Sequence, residues 1–123
     1  MTTSRVLSTD ASTSALTADA LDPADVVAGS PEVSSTSLLE ADGVAIGIWQ
    51  ITEGAVTDTE ADEVFVVLSG RAEVMFDHGE TVPLGPGSVV RLHAGERTTW
   101  TITETLRKIY VLLPDHATKE EAP

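Results

Sequence analysis

Three observations predict an all-β fold for this chain. Strand-like runs recur between Leu38 and Leu113, turn-forming residues bound nearly every run, and no convincing helix lies between them. The runs are "GVAIGIWQI", "EVFVVLSG", "RAEVMFD", "SVVRLHA", "TTWTIT" and "LRKIYVLL". Alternation with period two is plain in "AEVMFD" and "TTWTIT", as expected of strands with one buried face. Many short strands at close spacing fit an antiparallel sandwich or barrel.

In chain order, residues 1–22 are mostly Ser, Thr, Ala and Asp and read as a flexible N-terminal arm. A short amphipathic helix through "TADALDPADVV" would be interrupted by Pro23. Residues 23–113 form the predicted folded domain, and 114–123 a polar, fraying tail. Within the domain, "DHGE" suits a two-residue hairpin and "LGPGS" a tight turn with a positive φ. A length of 123 residues is one domain by size, and no internal repeat is present.

Composition narrows the function classes. The chain has no cysteine, so thiolate metal sites, disulfides and thiol nucleophiles are excluded. Its net charge is −13 with only 7 basic residues, a surface that repels phosphate, which argues against nucleic-acid binding. The acidity alone is accounted for by solubility. The first twenty residues lack the apolar stretch of a secretory signal, and no segment is long enough to span a bilayer, so a cytoplasmic protein with no membrane partner is expected. No P-loop, dinucleotide fingerprint, nucleophile elbow or HExxH pattern occurs.

Two segments carry a family resemblance. "GAVTDTEADEVFVVLSG" resembles the first cupin motif, whose glutamate lies seven residues before a closing glycine, here Glu63 and Gly70. "GPGSVVRLHAGERTTW" resembles the second, with Gly87 and Gly95 at its glycines and His93 where proline is usual. Trp49, Trp100, the basic pair Arg107–Lys108 and the lead-in "VVAGSPEV" make the chain similar to small cupins of the ureidoglycine aminohydrolase cupin-domain branch. The resemblance spans residues 25–113 and implies a double-stranded β-helix, or jelly-roll, barrel.

Metal-dependent cupins draw two histidines and the glutamate from the first motif and a third histidine from the second. The resemblance places the first two histidine positions on Thr57 and Thr59, or on Val56 and Asp58 with a longer spacer, and the third on Thr98. Glu63 alone survives. His78 falls in a hairpin turn, His93 in the second-motif turn facing away from the barrel, and His116 in the tail, so none is expected as a ligand. Asp58, Glu60 and Asp62 lack the spacing of an EF-hand. No metal or other cofactor is expected, although a divalent metal is disfavoured rather than excluded.

Strand alternation predicts the lining of a pocket. With Glu63 inward, Phe65 and Val67 share its face; Thr98, Trp100 and Ile102 point inward from the next strand. Trp49, Lys108 and Tyr110 complete the candidate ligand-binding set of Trp49, Glu63, Phe65, Thr98, Trp100, Lys108 and Tyr110. The two indoles are equally consistent with plain core packing. A carboxylate inside an apolar barrel requires a partner, Lys108 or Arg107, or else a raised pKa. Glu60 and Asp62 are expected at a wet rim, and Glu96 and Arg97 on an exposed one.

These features leave three expectations: a metal-free cupin binding a small metabolite, an enzyme related to ureidoglycine aminohydrolase or another cupin isomerase or lyase with Glu63 as acid/base, and a homodimeric interaction module pairing through Val33–Leu39.

Overall fold

A computed structural model describes residues 5–114. The strands are β1 (Thr17–Asp19), β2 (Val26–Gly29), β3 (Val33–Ala41), β4 (Val44–Ile51), β5 (Gly54–Thr59), β6 (Glu63–Phe76), β7 (Thr81–Leu84), β8 (Val89–Leu92) and β9 (Arg97–Leu112). The only helical element among the described residues is a 3-10 turn over Pro23–Asp25, which Asp22 caps by accepting the Ala24 amide. The fold is therefore all-β, as the recurrent strand runs predict, and every strand pairing is antiparallel.

Two long strands organise it. β9 pairs with β6 along nearly its whole length. On its other edge it pairs with β5 over residues 97–102 and with β4 over residues 106–112. β6 in turn carries β8 beside its first half and β7 beside its second. The six runs read from the sequence thus collapse into fewer, longer strands. "EVFVVLSG" and "RAEVMF" are one strand, because Gly70 (φ +94) absorbs the irregularity between them instead of ending the ladder. Across that point the buried positions switch phase, from Glu63, Phe65 and Val67 to Ala72, Val74 and Phe76.

Turn chemistry is partly as expected. Ser88 donates its amide to the Gly85 carbonyl, and Gly87 takes φ +92, a Pro–Gly turn of the expected kind. "DHGE" is not a two-residue hairpin. Phe76 and Glu80 are still paired by the Phe76 amide, leaving a three-residue loop of Asp77, His78 and Gly79. Gly79, at φ +106, supplies the left-handed residue such a loop needs.

Within the stretch expected as a flexible arm, Thr17–Asp19 pairs with Val33–Ser35. Arg107 holds the preceding residues: its Nη1 donates to the carbonyls of Ala11 and Ser14 at 2.9 and 3.0 Å, while its Nε reaches Gln50 Oε1 at 2.9 Å. Leu21 packs on the core beyond. The expected C-terminal tail lies, from residue 115, outside the described residues.

The core runs through Phe65, Val67, Val74, Phe76, Leu92 and Leu106, and reaches a cavity through Ile51, Val56 and Trp100, which belong to both.

Candidate functional site

Alternation along β9 puts Thr98, Trp100, Ile102, Leu106 and Lys108 on the buried face. Burying an ammonium is costly unless it is paired, and Lys108 is only 6% exposed. Its Nζ donates to Glu63 Oε2 at 2.7 Å. Register explains the meeting: Lys108 sits opposite Trp49 on β4 and Val67 on β6, four pairs along from Leu112 and Glu63 and therefore on the same face. The Lys108 Nζ also lies 4.2 Å from the ring centre of Phe65, 4.8 Å from that of Trp49 and 5.0 Å from that of Trp100. Three aromatic faces and one carboxylate replace the water that this cation loses. Of the two partners considered for Glu63, Lys108 is the one in contact; Arg107 points to the other face and clamps the arm.

Glu60 corrects the reading. It is buried, 7% exposed, rather than at a wet rim. The backbone bonds Glu60 N–Glu96 O and Gly95 N–Glu60 O, both 2.8 Å, carry the β5–β9 ladder past Thr59 and place the residue within the barrel wall. Its Oε2 accepts from Thr98 Oγ1 at 2.6 Å and from Trp100 Nε1 at 3.0 Å. A signal for this existed. Thr98 and Trp100 are two inward donors on one strand, and a buried hydroxyl and indole N–H require an acceptor. Asp62 stays near the rim, half-buried, where its Oδ1 accepts the Ala94 amide at 3.0 Å and lies 3.6 Å from Arg91.

These groups surround a cavity of about 300 Å³. Trp49 and Ile51 of β4, Val56, Thr57 and Asp58 of β5, Glu60 and Glu63, and Trp100, Lys108 and Tyr110 of β9 form its walls. Ala20, Leu21 and Asp25 close one side. Of the expected set, Trp49, Glu63, Trp100, Lys108 and Tyr110 reach the cavity. Phe65 and Thr98 stand one layer behind, Phe65 beneath Lys108 and Thr98 bonded to Glu60. Asp25, Asp58 and Glu60 are additions that the sequence reading did not place there.

Among the described residues, four carboxylates, of Asp25, Asp58, Glu60 and Glu63, therefore share the cavity wall with a single cation, Lys108. Desolvation, then the neighbouring Glu60 charge, pushes the Asp58 carboxyl up to about 6, against the lowering effects of the Thr59 amide and Lys108. Burial, reinforced by Glu40 and Glu63, raises the Tyr110 phenol, which stays a hydroxyl donor.

The residues do not fit the three-histidine, one-glutamate centre of metal-dependent cupins. Neither Thr57 and Thr59 nor Val56 and Asp58, the two expected placings of the first-motif histidines, supplies an imidazole, nor does Thr98, and Glu63 is bonded to an ammonium. No group of three metal-ligating side chains converges among the described residues. His78 and His93 are exposed, bonded to Glu80 at 3.2 Å and near Glu96 at 3.6 Å. His116 lies outside the described residues.

A curled antiparallel sheet built on two motif-bearing segments, with a pocket between its walls, defines a cupin. Within that class the chain belongs to the EutQ-like cupin domain family, whose model matches residues 38–110. Among solved structures it is similar to a putative ethanolamine utilization protein Q of Salmonella typhimurium LT2, at 26% identity and TM-score 0.61, covering 68% of this chain and 70% of that one. A Rhizobium leguminosarum protein of unknown function is 32% identical, with TM-score 0.62, over 68% of this chain and 82% of that one. A Pseudomonas syringae protein of unknown function gives TM-score 0.72 at 25% identity; the match covers 80% of this chain but only 44% of that one. No curated protein matches. The family match names the EutQ-like group and not the ureidoglycine aminohydrolase branch. No helix among the described residues is long and apolar enough to cross a membrane.

Proposed function

We propose that this chain binds a small metabolite in the barrel pocket without a metal ion, with Lys108 supplying beside Glu63 the positive charge that a metal supplies in other cupins. One observation carries the reading. A cavity of about 300 Å³ stays open beside two indoles and four carboxylates, where a barrel that served only as a core would be filled. That volume lies at the lower end of the roughly 300–1,000 Å³ range of small-molecule sites, and mostly apolar walls with a few polar groups are their usual make-up. A thermal-shift panel of small metabolites tests it. A ligand at about a hundred times its Kd adds about 2.7 kcal/mol to stability, a rise of about ten degrees for a domain of this size. A panel in which nothing raises the melting temperature counts against the reading.

A second reading is catalytic: an enzyme related to ureidoglycine aminohydrolase, or another cupin isomerase or lyase. Asp58 and Glu60 favour it, one carboxyl raised to about 6 and the other held by a hydroxyl and an indole, a contrast suited to paired acid and base roles. Here Glu63 is a weaker choice of catalyst than the sequence suggested, since Lys108 already occupies one of its oxygens. Turnover unchanged in both Asp58→Asn and Glu60→Gln would remove this reading. Homodimer formation is compatible with either, and sizing chromatography tests it.

A further inference from the structure

The pocket's charge balance says what kind of ligand it would take, on the reading that it binds a small molecule at all. Lys108, the single cation on the wall among the described residues, already has its countercharge: it is bonded to Glu63 at 2.7 Å and flanked by three rings. An anionic ligand would therefore meet acids without a free countercharge. Glu60 is over nine-tenths buried, and both of its hydrogen bonds land on Oε2. Among the described residues none bonds Oε1 and no side-chain oxygen is sealed away unsatisfied, so Oε1 keeps accessible surface on a residue that lines the cavity. Asp58, on the same wall, has one oxygen bonded to the Thr59 amide at 2.8 Å and the other free. Next to these acceptors stand the indoles of Trp49 and Trp100, ring centres 6.0 Å apart, an apolar surface with electron-rich faces.

We propose that the pocket selects its ligand by a protonated amine, which sits against the free carboxylate oxygens of Glu60 and Asp58 while its carbon skeleton lies on Trp49 and Trp100. A primary ammonium brings three donors and the charge that this wall lacks, and the half-desolvated surroundings strengthen the attraction relative to water. A neutral alcohol can satisfy one acceptor without supplying the charge. A carboxylate can do neither.

The full-length protein, labelled with ¹⁵N, is titrated with matched probes: phenethylamine, 2-phenylethanol and 3-phenylpropionate, and in parallel butylamine, 1-butanol and butyrate. The Trp100 indole N–H, bonded to Glu60, is the reporter. The amine of at least one series should move that resonance to saturation and bind at least about tenfold more tightly than its alcohol and its carboxylate. Glu60→Gln should erase most of that preference. Asp58→Asn, at a cavity-wall residue that is not part of the buried core, should reduce the amine affinity several-fold and leave the alcohol unchanged. Equal affinity for amine and alcohol, tighter binding of the carboxylate, or an amine preference untouched by both variants overturns the inference while leaving small-molecule binding in place. If no probe binds and the metabolite panel is also silent, both readings fall.

Discussion

Glu63 is a buried acid whose countercharge is a lysine on the neighbouring strand. Removing one member of a buried pair leaves the other uncompensated, which typically costs about 3–5 kcal/mol. Glu63→Gln should therefore lower stability by about that amount in denaturant unfolding, whereas the double variant Glu63→Leu/Lys108→Met should recover most of it, since apolar replacement of the whole pair is often neutral. Loss that is additive in the double variant would contradict the pairing. Asp58 behaves oppositely. Its carboxyl, among Asp25, Glu60 and Lys108, is raised from 3.8 to about 6. The folded protein thus holds a proton that the unfolded chain releases between those values, and stability falls as pH rises through that window. Asp58→Asn, which cannot ionise, should match the wild type near pH 4 and exceed it in melting temperature at pH 7. At this scale the sequence was informative where alternation applies: it placed Glu63, Trp100 and Lys108 inward. It misplaced Glu60, because the residue lies beyond the strand proper and only its donors, Thr98 and Trp100, reveal where it points.

Strands were legible in proportion to their apolar content. β4, β6, β8 and β9 carry the Val, Ile, Leu and aromatic runs from which the fold was predicted. β3 is rich in serine, β5 reads as threonine and aspartate at its end, and β7 contains Pro83, so their pairing comes from neighbours and not from local preference. Each long strand reads as a pair, β6 because glycine inside a strand resembles a terminator and β9 because the exposed Thr103 and Glu104 interrupt its alternation. Gly70 instead lets β6 change phase while staying paired with β9. A Cβ there would strike the Thr105 carbonyl, on top of the cost of a left-handed backbone. Gly87 also has positive φ, but a Cβ there meets open space. Gly87→Ala should accordingly cost about 1–2 kcal/mol, and Gly70→Ala clearly more. Equal effects in chemical denaturation would mean that the close approach to Thr105 relaxes without penalty.

Across the whole molecule, acidity and architecture answer different questions. The net charge of −13 turns away polyanions but specifies no fold. The barrel follows from two motif-bearing segments brought together by β6 and β9, and the first 22 residues, compositionally an arm, supply Ala20 and Leu21 to the pocket's side. That contribution was illegible because it rests on Arg107, distant in sequence, bonding to main-chain carbonyls that any residue would present. The central claim is that the lysine on β9 fills the electrostatic role of a metal beside Glu63. Elemental analysis of protein purified without chelator tests it most directly. Mn, Fe, Ni and Zn should each be far below one equivalent per chain; any of them near one per chain would contradict the account.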